Sequence, residues 1–125
     1  MRYKQYLSEQ KGFAPLVIQK LDEMSDRILD NLFNPQLTNI TIDKKGLVVG
    51  QVQSGKTANY TGLICKAADA GFNFIVVLAG ILNNLRSQTQ SRIDEGFLGF
   101  DTQYERAYNI NNTTKIGVGL IPGFD

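Results

Sequence analysis

Apolar side chains recur at intervals of three and four residues near the start of the chain, a spacing that predicts an amphipathic helix. The members of this stripe are Val17, Leu21, Met24, Ile28 and Leu32. Pro15 suits the first turn of a helix, and the Asn34-Pro35 step ends the pattern. We therefore expect residues 1–36 to form an N-terminal helical segment. The stripe is most simply a packing face; the alternative is a helix that binds a partner or a second copy of the chain.

A different pattern follows, in which short apolar runs alternate with helix-forming segments. Residues 46–49 and 72–78 are rich in β-branched or aromatic side chains and predict two buried strands. A helix is expected between them, over 56–70, and another after them, from Asn83 or Asn84 to residue 96. This order predicts an α/β fold with flanking helices, in which parallel strands are joined through a right-handed crossover.

The segment between the first run and the first helix reads Gly-Gln-Val-Gln-Ser-Gly-Lys-Thr over residues 50–57, which matches the phosphate-binding pattern G-x-x-x-x-G-K-[ST]. Glycines at the bends allow main-chain N–H groups to approach a triphosphate closely. Lys56 would lie beside the β- and γ-phosphates, and the Thr57 hydroxyl would complete the coordination of a Mg²⁺ ion. The alternative is a glycine-rich surface turn.

The motif therefore predicts a binder of a nucleoside triphosphate, with ATP and Mg²⁺ as the expected cofactors. The expected cofactor-binding residues are Gly50, Gln53, Ser54, Gly55, Lys56 and Thr57. Lys56 and Thr57 are also the expected catalytic residues, and Thr57 is the expected metal ligand.

Composition narrows the class of protein further. The 125 residues carry a net charge of +1, which gives no basic footprint for nucleic acid over the whole chain. The one cysteine, Cys65, excludes an internal disulfide, and we interpret it as a small core residue. The first residues lack the apolar region of a signal peptide, and the longest apolar run is too short to cross a bilayer. We expect a cytoplasmic protein without a membrane partner.

A second motif follows the second apolar run. Residues 77–88, Val-Leu-Ala-Gly-Ile-Leu-Asn-Asn-Leu-Arg-Ser-Gln, resemble motif Ia of superfamily-two helicases, with Gly80 where that motif has a proline. The joined stretch 46–96, about half of the chain, is similar to the endonuclease Z-one domain family. Members of that family are large bacterial proteins with a superfamily-two-like ATPase core. An action on DNA, in restriction or defence, is assigned to them.

The resemblance implies a fold, a partner and site residues. Residues 37–125 would form an incomplete P-loop NTPase (RecA-like) domain, built on part of a parallel sheet. The resemblance implies that Gly55, Lys56 and Thr57 bind ATP and Mg²⁺. It also implies that Arg86, Ser87 or Gln88 lies near a DNA strand.

Hydrolysis needs carboxylates that hold Mg²⁺ and position water, usually at the end of an apolar strand. Asp94-Glu95 follows a polar helical segment instead, so we interpret it as a solvated helix end. We therefore expect an N-terminal fragment of a DNA-dependent, helicase-like ATPase, able to bind nucleotide, inactive alone and prone to self-association at exposed sheet edges. The alternative is a P-loop nucleotide switch or assembly ATPase without nucleic-acid activity.

Overall fold

The structure is a computed structural model that describes residues 2–50, 55–103 and 106–107. Its α-helices are α1 (Arg2–Glu9), α2 (Pro15–Asp30), α3 (Lys56–Asp69) and α4 (Asn83–Ile93). A π-helical segment, Asp94–Leu98, continues α4, and two short strands follow, β1 (Phe100–Asp101) and β2 (Arg106–Ala107). No helix within these ranges is both long and apolar enough to cross a membrane.

Two helices, α1 and α2, occupy most of the segment 1–36 that the sequence predicts to be helical. Gly12 has a φ of 65°, a left-handed conformation that interrupts helical geometry between α1 and α2. Pro15 is the first residue of α2, where its missing N–H costs no hydrogen bond. The apolar stripe of α2 is only partly covered, since Val17 and Met24 remain 46% and 45% exposed.

The prediction of a partial P-loop NTPase (RecA-like) parallel sheet is wrong. The described part of the chain is all-α, apart from the two-residue antiparallel pairing of β1 with β2. Residues 46–49 and 72–78 are not strands, and apart from Phe72 their apolar side chains are exposed, for example Leu47 at 87% and Leu78 at 91%. A helix satisfies its own backbone hydrogen bonds, whereas a strand needs a neighbouring strand. The described residues supply no such neighbour to either segment.

The described chain divides into two units. The first contains the residues up to 18 and those from 76 onward, and the second contains residues 19–75. In the second unit, Lys66 of α3 donates through Nζ to the main-chain oxygen of Asp22 on α2 at 2.8 Å. The same ammonium pairs with the carboxylates of Asp22, at 2.8 Å, and of Asp26. Asn59 adds a contact from its Nδ2 to the Met24 Sδ at 3.1 Å. These bonds link α3 to α2.

The buried apolar residues of the second unit come from α3. Its buried apolar members are Ala58, Ile64, Cys65 and Ala67. The helix ends in a left-handed glycine, Gly71, with a φ of 100°. The Gly71 N–H donates to the Ala68 oxygen at 3.0 Å, and the Phe72 N–H donates to the Ala67 oxygen at 3.0 Å. These bonds satisfy carbonyl groups that the end of a helix otherwise leaves unpaired.

The first unit contains α1, α4 and the π-helical segment. Tyr3, Tyr6 and Leu7 of α1 are buried, and the two tyrosine rings stack with centroids 5.7 Å apart. Lys11, just after α1, pairs with Glu95 of the π-helical segment at 2.9 Å. In the short ladder, Phe100 is opposite Ala107. Leu82 is the N-cap of α4, and the helix begins at Asn83, one of the two residues at which the sequence predicts its start.

Candidate functional site

The first turn of α3 contains the end of the phosphate-binding motif. Gly55 is the N-cap and has φ 77° and ψ 21°, a left-handed conformation that glycine adopts at little cost. Its carbonyl oxygen accepts the first helical bond from the Asn59 N–H at 3.0 Å. The Lys56 side chain is exposed, and Thr57 is partly buried. The structure therefore places Gly55, Lys56 and Thr57 together at the start of a helix, as the motif predicts.

The electrostatics of this helix start favour an anion. The N-cap residue, Gly55, has no side chain to accept a hydrogen bond from the first-turn N–H groups, and that turn contains no acidic residue. No carboxylate of that turn therefore compensates the positive end of the helix dipole. Within the described ranges, no carboxylate pairs with Lys56. A phosphate group would supply the missing negative charge.

The other motif residues are only partly described. Gly50 is partly exposed and ends the described range that precedes the motif. Gln53 and Ser54 lie outside the described residues. The assignment of these two residues to the cofactor therefore stays a prediction from the sequence.

A cavity of about 810 Å³ lies in the second unit, beside the residues that precede the motif. Its apolar lining includes Met24 and Ile28 of α2, Leu32 just after that helix, and Leu63 of α3. The chain segment 43–48 forms part of its wall, and Arg27 and Asn31 contribute polar atoms. The α2 stripe was the sequence signal for this surface, but the pattern alone indicates a packing face as readily as a cavity.

The wall segment is held against the end of α2. The ammonium of Lys44 donates to the main-chain oxygens of Asn31 and Leu32, both at 3.1 Å. A cation at the C-terminal end of a helix satisfies carbonyl groups there and complements the helix dipole. Lys45 forms a more exposed pair with Asp43 at 3.3 Å.

Two of the three residues that are predicted to lie near DNA line a small polar cavity in the first unit. Arg86, Ser87 and Gln88 all lie on α4 and are exposed. Arg86 and Ser87 line a cavity of about 230 Å³, and Gln88 does not. The rest of its lining consists of Gln90, Ser91, Asp94, Asp101 and Gln103. A phosphate in this cavity would meet two carboxylates as well as one guanidinium.

The interpretation of Asp94 as part of a solvated helix end is wrong, because this residue is only 2% exposed. Its Oδ1 accepts from Gln90 Nε2 at 2.6 Å. Its Oδ2 accepts from the Thr102 main-chain N–H at 2.9 Å and from the Thr102 hydroxyl at 2.6 Å. These donors satisfy the buried carboxylate and fix the turn after the π-helical segment. No local pattern in the sequence indicates the burial of Asp94; at Asp101, by contrast, the carboxylate accepts from the Gln103 main-chain N–H at 3.0 Å, a local bond that is typical of turns.

Cys65 is confirmed as a buried core residue without a disulfide. Burial, and secondarily the negative charge of Asp69, raise the pKa of its thiol from 9.0 to about 12. A thiol in such surroundings is not a nucleophile at neutral pH. Among the described residues, no group of three or more His, Cys, Asp or Glu side chains is placed to hold a metal ion.

Comparisons of the chain with models of protein families, with curated proteins and with solved structures give no match. The resemblance to the endonuclease Z-one domain family therefore stays a prediction.

Proposed function

We propose that the segment from Gly50 to Thr57 binds the phosphates of a nucleoside triphosphate, ATP, together with Mg²⁺. One observation carries the proposal. Lys56 and Thr57 occupy the first turn of a helix, directly after a left-handed glycine, and no acidic residue lies in that turn. This arrangement combines a helix N-terminus, a point positive charge and a hydroxyl, which together suit a polyphosphate.

Each residue has a distinct part in this proposal. The Lys56 ammonium would neutralise charge on the terminal phosphates, and the first-turn N–H groups of α3 would donate to phosphate oxygens. Mg²⁺ usually keeps several waters and binds few protein ligands in addition to phosphate oxygens. The Thr57 hydroxyl is an oxygen ligand at a suitable place, so the residues present fit a Mg²⁺ ion that enters with the nucleotide.

Replacing Lys56 by alanine tests the proposal. Lys56→Ala removes the ammonium from an exposed position, so we expect the fold to remain and the affinity for MgATP to fall at least about tenfold. Isothermal titration calorimetry with MgATP measures this affinity. The matched control is Lys20→Ala, which removes an exposed lysine of α2 outside the motif and should leave the affinity unchanged. Equal MgATP affinity in the parent protein and in Lys56→Ala would refute the proposal.

The wider proposal is that the protein acts on DNA as a helicase-like ATPase of the restriction or defence type. The order of the phosphate-binding motif and the motif Ia-like residues 77–88 supports it. In this function, ATP binding changes the affinity for a DNA strand near α4. A cytoplasmic location suits such a protein, and a free thiol such as Cys65 is typical of reducing compartments.

The second candidate function is a nucleotide switch or assembly ATPase without nucleic-acid activity. One observation favours it: Arg86 and Ser87 share their cavity with Asp94 and Asp101, whose carboxylates disfavour a phosphate backbone. Fluorescence anisotropy of a labelled single-stranded oligonucleotide separates the two candidates. DNA binding that changes when MgATP is added supports the first candidate, and absence of DNA binding supports the second.

A further inference from the structure

We infer that the apolar cavity of the second unit holds the adenine base of the nucleotide whose phosphates lie at the start of α3. This inference rests on the proposed function and adds a location for the base. The cavity has a volume of about 810 Å³, within the range of pockets that hold small molecules. Part of its apolar wall comes from two helices that are already fixed to each other by the Lys66 and Asn59 contacts.

The position of the cavity along the chain supports this inference. Val48, in its wall, lies two residues before Gly50, so a chain length of at most about 7 Å separates Val48 from the first residue of the motif. Leu63, also in the wall, lies six residues after Thr57, a rise of about 9 Å along α3. A nucleoside triphosphate with its terminal phosphates at Lys56 and Thr57 is long enough to bring its base to this wall.

The lining has the chemistry that a purine requires. Met24, Ile28 and Leu63 present thioether and aliphatic groups, which pack on the faces of an aromatic ring. Arg27 adds a guanidinium, a group that stacks on aromatic rings.

Hydrogen-bond acceptors on two lining residues favour a base that donates hydrogen bonds. Asn31 donates through Nδ2 to the Arg27 main-chain oxygen at 2.7 Å, which leaves its amide oxygen as an acceptor. The Asp43 carboxylate is a second acceptor in the lining. Acceptors match the exocyclic amino group of adenine better than the carbonyl oxygen that uracil has at the same position.

A substitution in the cavity distinguishes the contribution of the base to the affinity from that of the phosphates. In Leu63→Gln, a polar side chain replaces an apolar part of the wall, so we expect the affinity for MgATP to fall about tenfold. The affinity for magnesium tripolyphosphate, which has no base, should not change. The matched control is Leu37→Gln, which alters an exposed leucine outside the cavity and should change neither affinity more than about twofold.

Calorimetry on the parent protein with MgATP, MgUTP and magnesium tripolyphosphate completes the test. We expect MgATP to bind most tightly and MgUTP to bind no better than tripolyphosphate. Equal affinities for MgATP and tripolyphosphate, or equal losses for both in Leu63→Gln, would overturn the base site while leaving the phosphate site intact. If neither ligand binds the parent protein, the proposed function itself fails.

A measurement without substitutions covers the case in which Leu63→Gln does not fold. The methyl groups of Met24 and Leu63 should shift in the NMR spectrum of the parent protein when MgATP is added. They should not shift when magnesium tripolyphosphate is added at the same saturation. Methyl shifts that are the same with both ligands contradict the inference.

Discussion

At the scale of single residues, the surroundings of Cys65 decide its chemistry. The side chain is 2% exposed, and burial together with the charge of Asp69 raises the pKa of the thiol to about 12. Because the thiolate is the reactive form, the folded protein should resist thiol reagents. We expect 5,5′-dithiobis(2-nitrobenzoic acid) at pH 8 to label Cys65 at least about a hundredfold more slowly in the folded protein than in urea.

The control for this prediction is an exposed thiol in the same chain. Lys20→Cys in a Cys65→Ser background places a cysteine on the exposed surface of α2 and should react at the rate of a small-molecule thiol. Rapid labelling of Cys65 in the folded parent protein would show that the residue is not buried. The raised pKa also means that the thiol contributes to stability below pH 9, and that this contribution is lost as the pH rises from about 9 to about 12.

The sequence predicts the positions of some residues of the two candidate sites but not of others. The motif predicts that Gly55, Lys56 and Thr57 meet at a helix start, and the structure places them there, because a left-handed glycine followed by helix formers specifies this turn locally. The burial of Asp94 was not predicted. It depends on donors from Gln90 and from Thr102, which lies eight residues beyond Asp94, and a local pattern does not contain that contact.

At the scale of secondary-structure elements, Lys66 carries the link between α2 and α3. Burial alone would lower the pKa of Lys66, but hydrogen bonds and charges from Asp22 and Asp26 together outweigh burial and raise the pKa above its usual 10.5. The ammonium is therefore favoured in the folded protein. Its contribution to stability is complete below pH 10.5 and is lost as the pH rises through the higher folded value.

Removing this ammonium should loosen the helix pair. Lys66→Met keeps the aliphatic stem and leaves two carboxylates without their cation, so we expect the free energy of unfolding to fall by about 1–2 kcal/mol. Urea denaturation followed by circular dichroism measures this change. Lys45→Met is the matched control, because the pair of Lys45 with Asp43 is exposed, and it should leave the urea midpoint unchanged. If the two variants have the same midpoint, Lys66 does not link the helices.

The sequence predicts the helices of this protein better than its strands. The helices at 56–69 and 83–93 follow from local patterns, since each helix satisfies its own backbone groups. The apolar runs at 46–49 and 72–78 have strand-like composition but are not strands in the structure. The composition of a segment shows only its preference for β-structure. A strand also needs a neighbouring strand to pair with, and the described residues do not supply one.

At the scale of the whole molecule, two units carry different candidate chemistry. The second unit contains the start of α3 and the apolar cavity, which together suit a nucleotide. The first unit contains the polar cavity of α4, where Arg86 lies with two carboxylates. The fold class could not be predicted from the sequence, because the α/β expectation assumed that the two apolar runs pair with other strands.

The central claim is that polyphosphate binds at the start of α3, and an NMR titration tests it most directly. MgATP is added to the ¹⁵N-labelled parent protein, and the backbone amide shifts are followed residue by residue. We predict that the largest shifts occur at Gly55, Lys56 and Thr57, because phosphate oxygens would accept hydrogen bonds from the N–H groups of the first turn. Saturable binding with its largest shifts elsewhere, or no shift of these amides at millimolar MgATP, would contradict the account.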